Sequence, residues 1–248
     1  MTKMQMVWRV LLAGMMALMV GCATTGERDP RDPLEGFNRG VYKFNDGLDR
    51  AVMTPLAKGY QAITPDPVDR GVTNFFGNLA DVGSAVNNLL QLKLARAASD
   101  VGRVVVNTTI GIFGLFDVAS HMKLEKYGED FGQTLGYWGI GSGPYIVLPI
   151  LGPSSLRDTV GLVGDWYLDP VTYVDDDEWR WGLRILKAID KRADLLSATN
   201  VLEEAALDKY SFTRDAYLQR RANLVKDGEG EELDDEAGLE DGEIPENW

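Results

Sequence analysis

The sequence predicts a mostly α-helical protein of one domain, on three observations. Apolar side chains recur at three- and four-residue spacing along most of the chain, strand-like alternation is scarce, and neither a fixed-period repeat nor an internal linker divides the 248 residues. An apolar share of 45% is ordinary for a chain that folds.

The elements follow in order. After the polar stretch ATTGERDPR (23–31), Asp32 as N-cap, Pro33 at the first helical position and Glu35 at the third spell a capping box. Leu34, Phe37, Val41, Phe44, Leu48 and Val52 then form the apolar stripe of a helix expected to end near Pro55. Asp66-Pro67 opens a second stripe of Val68, Val72, Phe75, Phe76 and Leu79, and Val82, Val86, Leu89 and Leu90 make another. Residues 93–109 read similarly. The segment IGIFGLFDVA (110–119) is apolar nearly all round, is interrupted by Gly111 and Gly114, and is too short for a bilayer span, which takes about 20 residues. Ser155 to Asp158 starts a helix carrying Val160, Val163 and Trp166, stopped by Asp169-Pro170. Two further helices run from Glu178 to Thr199 and, capped by Asn200 with Glu203 in third position, toward Lys226. Whether such stripes, with Trp138, Trp166, Trp179 and Trp181 among them, pack as a helical core or lie in a membrane interface is open at this level, because both produce the same periodicity.

One stretch fits neither helix nor ordinary loop. GYWGIGSGPYIVLPILGPSS (136–155) is too apolar for an exposed loop and too rich in glycine and proline for a helix, and YIVLP within it is the best strand signal in the chain. It reads as a hairpin whose apolar tip, Tyr145 to Leu151, packs on helices or lipid. Gly139, Gly141 and Gly143 are two apart. In extended backbone they share one face, which suits either a hinge or a close packing contact. Ile110, Ile112, Phe113, Leu115 and Phe116, with Ile146, Val147, Leu148, Ile150 and Leu151, are the candidate membrane-contacting residues.

The formal charge of −13 is concentrated at one end. Residues 227–248 hold eleven Asp and Glu and no Lys or Arg, and without them the balance is −2. A nucleic-acid footprint is therefore absent, and the tail reads as solvated and disordered. Cys22 is the sole cysteine, which excludes an intrachain disulfide and a thiolate metal cluster. Lys3 and Arg9, the apolar run VLLAGMMALMV (10–20) and the small Gly21 ahead of it describe an export signal. MVGC (19–22) resembles the bacterial lipoprotein box, in which the cysteine is acylated. Met19 stands where such boxes usually have leucine. Ala23 rather than Asp follows the cysteine, which in similar lipoproteins implies the outer membrane.

Chemical motifs are sparse. His121, the single histidine, reads as a structural residue near a helix end, and a Ser-His-Asp triad would depend on it alone. GIGSG (139–143) fails the G-x-S-x-G spacing at Ile140 and the phosphate-loop spacing at Pro144. DDDE (175–178) sits at a helix start, where acids complement the dipole, and lacks calcium-loop spacing. No enzyme activity, metal or cofactor is expected. The rival from another class is a cell-wall hydrolase with Glu129 as general acid.

Several stretches together resemble the phospholipid-transport lipoproteins known as the MlaA or VacJ family: DPLEGFNR (32–39), YKFN (42–45), GLFDVA (114–119), FGQTLGYWGIGSGPYIVLPILGPSSLRD (131–158) and AYLQRR (216–221). The resemblance implies a ring of amphipathic helices set in one leaflet of the outer membrane, facing the periplasm, with a central channel for misplaced phospholipid. It also implies association with a porin trimer and hand-over to a periplasmic lipid carrier. The division that follows is a signal peptide (1–21), a lipidated tether from Cys22 to residue 31, a helical domain (32–226) and an acidic tail (227–248). The hairpin becomes a candidate channel gate, with Gly139, Gly141, Gly143, Pro144, Tyr145 and Pro149 as its residues. A porin-bound scaffold without a lipid path is the remaining alternative.

Overall fold

The first helix shows how the interior is built. In the computed structural model, which describes residues 29–199 and 206–227, α1 (Glu35–Leu48) buries Asn38, exposes Phe44 and leaves Phe37, Val41 and Leu48 half-buried. The expected capping box does not form. The N-cap is Leu34, with no side-chain bond to the helix amides. Asp32 is instead fully buried, accepting from Asn38 Nδ2 at 2.8 Å and from the Tyr210 hydroxyl, with Arg214 at 3.6 Å. These partners outcompete a solvent-facing cap for the carboxylate. Nor does the helix end near Pro55. A π-helical turn (Asp49–Met53) leads directly into α2 (Thr54–Ile63), placing Pro55, which has no N–H to donate, in the first turn of α2.

The two stripes after Asp66 belong to one 25-residue helix, α3 (Asp66–Leu90), and α4 (Leu94–Thr109) packs back along it. The turn between them is a Schellman motif: the Lys93 N–H reaches the Asn88 carbonyl at 2.9 Å and the Leu92 N–H that of Leu89 at 3.0 Å, with Leu92 at φ 61°. Then come α5 (Val118–His121), α6 (Phe131–Tyr137), the antiparallel strands β1 (Tyr145–Leu148) and β2 (Gly152–Ser155), α7 (Leu156–Leu168), a 3-10 turn (Pro170–Tyr173), α8 (Asp177–Asp194) and α9 (Lys209–Val225). Ser155 caps α7 by accepting from the Asp158 N–H at 3.1 Å, and Asp176 caps α8, as the Ser155 start and the acidic run predict. Asp208 caps α9. The expected cap Asn200 with Glu203 lies outside the described residues, as do Cys22, the signal segment, the tether before residue 29 and the tail beyond 227.

The packing is inverted relative to a protein that dissolves in water. Among the described residues twenty polar or charged residues are buried against eleven apolar ones, while thirty-six large apolar side chains are exposed. Buried polar groups and exposed large apolar side chains in this number are the informative departures from normal burial. Apolar packing is confined to small clusters. Ala57, Ala193 and Leu196 meet where α2 crosses α8, and Tyr145, Val147 and Tyr210 where the hairpin meets α9. Trp138, Trp166, Trp179 and Trp181 all lie on the surface, so a tryptophan-filled helical core is excluded.

Polar networks occupy the space between α3 and α4. The buried face of α4 is Ala97, Asp100, Arg103 and Asn107, one side of a helix at three- and four-residue steps. Arg103, 1% exposed, donates to Asp81 Oδ2 at 3.0 Å, to Ser120 Oγ at 3.0 Å, to the Leu124 carbonyl at 2.8 Å and to both oxygens of Asp117. One turn away Asp100 accepts from Ser84 Oγ at 2.6 Å and Asn88 Nδ2 at 2.8 Å, and burial pushes its carboxyl above the usual range. Removing the Arg103 guanidinium leaves buried Asp81 with only Lys126 at 3.2 Å and Asp117 with the neutral Asn107 and Ser120 donors. Arg103→Ala is therefore expected to lose about 3–5 kcal/mol of stability, and Arg103→Lys to recover little of it, in denaturant titrations of the detergent-solubilised protein.

Candidate functional site

Two apolar tips project from this polar frame. The first is the turn after α4. Ile110, Ile112, Phe113, Leu115 and Phe116 are all exposed, Phe113 by 73%. The turn is tightly held. The Gly114 N–H reaches the Asn107 carbonyl at 2.8 Å, Phe116 that of Gly111 at 2.9 Å, and Asn74 Nδ2 the Leu115 carbonyl at 3.1 Å. A Cβ on Gly114 would fall 2.7 Å from that of Asn78. Ile112 and Phe113 are held at φ 52° and 56°, a left-handed conformation that β-branched and bulky residues rarely adopt.

The second tip is the hairpin, and here the sequence expectation divides. Tyr145 and Val147 are buried, Val147 to 1%, because β1 packs one face on Tyr210 and Tyr217 of α9 and on Val41 and Tyr42 of α1. Val147 is thus not an exposed membrane contact, and the exposed tip does not begin at Tyr145. Ile146 and Leu148 are half-buried on the opposite face, and Pro149, Ile150 and Leu151 form the exposed end, Ile150 at 74%. Two-residue periodicity explains the split.

What holds the hairpin was not singled out from the sequence. Asn38 Nδ2 donates to the Tyr145 carbonyl at 3.0 Å while its Oδ1 accepts from the Val147 N–H at 2.9 Å. Asn45 does the same one step on, donating to the Leu148 carbonyl at 2.9 Å and accepting from the Ile150 N–H at 2.8 Å. The two residues stand seven apart on α1, on one helix face, within FNR and YKFN. Two amides seven residues apart, set within the apolar stripe of Leu34, Val41 and Leu48, were the available signal.

The three glycines before the hairpin do not form one face. Gly139 is the left-handed residue that ends α6, at φ 88°, where the Ile140 N–H reaches the Leu135 carbonyl at 3.0 Å. Gly143 is also left-handed, at φ 66°, with a Cβ position 3.1 Å from that of Leu156. Only Gly141 has open space and ordinary backbone. The segment is curved, so the alternation argument fails. Pro144 accepts the Leu156 N–H at 3.0 Å through its carbonyl.

Behind the hairpin, AYLQRR acquires a function. Arg221 donates to both oxygens of Asp130 and both of Asp158, at 2.5 to 3.0 Å, and the Tyr217 hydroxyl reaches Asp158 Oδ2 at 2.7 Å. Burial alone would raise both carboxyls, but these donors hold them below the usual range. Arg157, Tyr217, Arg221 and Ser142 line a cavity of about 220 Å3 there. Asp165, which accepts the Phe131 N–H at 2.8 Å, is pushed up to about 6 by burial and by the neighbouring Asp130 and Asp158 charges.

A second cavity, about 320 Å3, lies beside the 110–116 turn and is lined by Arg70, Asn74, Asp117 and His121 among others. The His121 side chain is exposed and has no hydrogen-bond or ion-pair partner among the described residues. Glu129 is buried against Gln91 Nε2 at 3.0 Å and Lys93 Nζ at 3.5 Å, with Arg96 at 3.8 Å, and lines neither cavity. Among the described residues no group of acidic, histidine or cysteine side chains has metal-binding geometry, and no helix is long and apolar enough to cross a membrane.

A protein-family model described as MlaA lipoprotein matches residues 30–224. The chain belongs to the MlaA lipoprotein family. It is 35% identical over 222 residues, 86% of each chain, to the Escherichia coli protein named intermembrane phospholipid transport system lipoprotein MlaA. A Haemophilus influenzae protein of the same name is 34% identical over 85% of this chain and 87% of its own. An uncharacterised Rickettsia bellii protein is 38% identical over 81% of this chain and 79% of its own. A solved structure reported as "Structural basis for maintenance of bacterial outer membrane lipid asymmetry" matches with a TM-score of 0.70 at 35% identity, covering 80% of this chain and all of that one. The MlaA match takes in both asparagine clamps, both tips and the Arg221 network.

Two outcomes follow from this geometry. Asn45→Ala frees the Ile150 amide, whose hydrogen exchange should quicken about tenfold while the Tyr145 and Val147 amides stay protected. Asp165→Asn keeps the acceptor for Phe131 and removes the charge. A carboxyl raised in the folded state costs stability as pH climbs from its unfolded value toward 6, so the advantage of Asn over Asp should grow from pH 4 to 6 and then level off in parallel melting curves.

Proposed function

We propose that the protein is an outer-membrane lipoprotein that draws misplaced phospholipid out of the outer leaflet and so maintains lipid asymmetry. The observation that carries this reading is the packing, in which many large apolar side chains are exposed while polar networks whose members bond to one another are buried. Hydrocarbon offers no hydrogen bonds, so a body immersed in it must satisfy its polar groups internally; the Arg103 and Arg221 guanidinium donors are met in this way, while Asp100 Oδ1 and Asn88 Oδ1 are buried without a hydrogen-bond partner. The absence of a spanning helix among the described residues fits immersion in one leaflet. The names of the Escherichia coli and Haemophilus influenzae relatives and the subject of the matched structure support phospholipid as the cargo.

The finer parts of the reading extend it. The helices form a ring around a polar channel that lets a headgroup cross without entering hydrocarbon, and the hairpin beside it gates the passage. Lipid moving out of a misassembled leaflet runs downhill, so passage and gate suffice and no bond is broken. The 110–116 and 149–151 tips enter the acyl region, the exposed tryptophans sit at its edge, and acylated Cys22 supplies the anchor. A porin trimer holds the protein in place and a periplasmic carrier receives the lipid. The hydrolase reading has no support from the buried, ion-paired Glu129.

Deleting the gene should raise phospholipid in the outer leaflet, measured by surface-specific acylation or phospholipase access. Normal outer-leaflet lipid in the deletion strain would instead leave a scaffold. Cys22→Ser should reduce fractionation with the outer membrane and the lipid phenotype together, since a single membrane signal binds weakly. For the gate, Gly141→Val adds bulk into open space without backbone strain. Protein level should stay normal while outer-leaflet phospholipid changes. Val at Gly139 or Gly143 should cost the protein itself, because left-handed backbone disfavours it.

A further inference from the structure

The cavity beside the 110–116 turn is lined by two exposed basic side chains, Arg70 and His121, that have no partner among the described residues. Its walls are the first turns of α3, carrying Arg70, Gly71 and Asn74, and the segment from Leu115 to His121, with about 320 Å3 between them. Its other polar members are engaged elsewhere. Asn74 donates to the Leu115 carbonyl at 3.1 Å, and Asp117 is ion-paired with Arg103 at 3.0 Å and accepts from the Asn107 and Ser120 side chains. Arg70 and His121 make no hydrogen bond or ion pair with any described residue. Elsewhere the fold uses its arginines internally: Arg39, Arg96, Arg103, Arg157, Arg214 and Arg221 are all ion-paired.

The lip of the cavity is the exposed tip. Phe116 lines the cavity, and Ile112 and Phe113 stand outward beside it on backbone held left-handed. A guanidinium and an imidazole beside unsatisfied apolar surface match a molecule that joins an anionic phosphate to hydrocarbon chains. We propose that this cavity binds the phosphodiester of a phospholipid headgroup through Arg70 and His121, with the acyl chains lying along Ile112, Phe113 and Phe116. It is a docking point for cargo separate from the hairpin, and it rests on the phospholipid-transport reading. Arg70 supplies a charge and paired N–H donors at the α3 wall. His121 supplies a donor from the opposite wall, so the phosphate bridges α3 and α5.

The test uses the full-length lipidated protein in detergent micelles, titrated with phosphatidylglycerol carrying a fluorescent acyl chain. Controls are diacylglycerol with the same chains, and glycerophosphoglycerol and inorganic phosphate as competitors. The Arg70→Gln, His121→Gln double variant should raise the Kd for phosphatidylglycerol about tenfold or more and leave diacylglycerol binding unchanged. Both side chains are unpaired, so the melting temperature should not move. Gly71→Leu gives an independent check. Its Cβ meets Leu115 only at 3.8 Å, an ordinary contact, and the added side chain fills the cavity, so phosphatidylglycerol binding should fall with the fold intact. An unchanged Kd in the double variant overturns the site. Competition by millimolar inorganic phosphate as strong as by the lipid also overturns it, by showing a free-phosphate site. If the wild-type protein binds no phospholipid at all, the transport reading falls and this inference with it.

Discussion

Arg103 stands at a position where a helix of a water-soluble bundle would carry a leucine. Its five hydrogen bonds tie α4 to Asp81 on α3 and to the Asp117–Leu124 segment that follows the first tip. Burying a guanidinium is costly unless every donor is met, and here the acceptors come from two separate parts of the chain at once. That requirement orients the neighbours. With Asp100, Arg103 and Asn107 turned inward on α4 and Asp81, Ser84 and Asn88 on α3, the residues Val101, Val105, Leu89 and Leu90 have no interior left to occupy. Their outward orientation is a consequence of the network. Under the proposed function the surroundings that tolerate it are hydrocarbon, in which the same network is also most needed.

This explains what was legible in the sequence. Helical periodicity located the helices, because the stripe repeats at 3.6 residues whichever way it faces. It carried no sign. Ala97, Asp100, Arg103 and Asn107 look like a solvent-exposed face, and Val101 and Val105 like a buried one, until the polar groups are seen to pair with one another. The cap at Ser155 and the Asp169-Pro170 stop were readable because they depend on local chemistry. Asp32 misled because its position suited a cap while its partners, Tyr210 and Arg214, lie far along the chain. Pro55 misled because a π-helical turn lets the helix pass it. Neither fact has a signature within a ten-residue window.

The hairpin shows the same limit at closer range. Two four-residue strands are too little to persist alone. Asn38 and Asn45 remedy this by acting as a third strand: each side-chain amide presents one donor and one acceptor to β1, as a neighbouring backbone would. An α-helix thereby substitutes for a sheet edge. The sequence marked the residues that are clamped and hid the clamp, since an asparagine within an amphipathic helix is by default a surface residue.

The clamp also limits how the hairpin can move. Its first half is fixed from both sides, by Asn38 on α1 and by the packing of Tyr145 and Val147 on α9. Its approach is fixed at Gly139, which closes α6, and at Gly143, pressed against Leu156. Between those points only the stretch around Gly141 has room. Beyond them only Pro149 to Leu151 is exposed, and it is held by the two bonds of Asn45. A rigid swing of the whole hairpin would break the Asn38 bonds and expose Tyr145, at a cost of several kcal/mol for an aromatic ring and two buried hydrogen bonds. Releasing Asn45 alone gives up two half-exposed bonds, roughly 1–3 kcal/mol together, which thermal motion supplies on the microsecond to millisecond scale of loop gating. If the hairpin gates the passage as proposed, the least costly motion is at its tip, with Asn45 as the latch and Asn38 as the fixed pivot behind it.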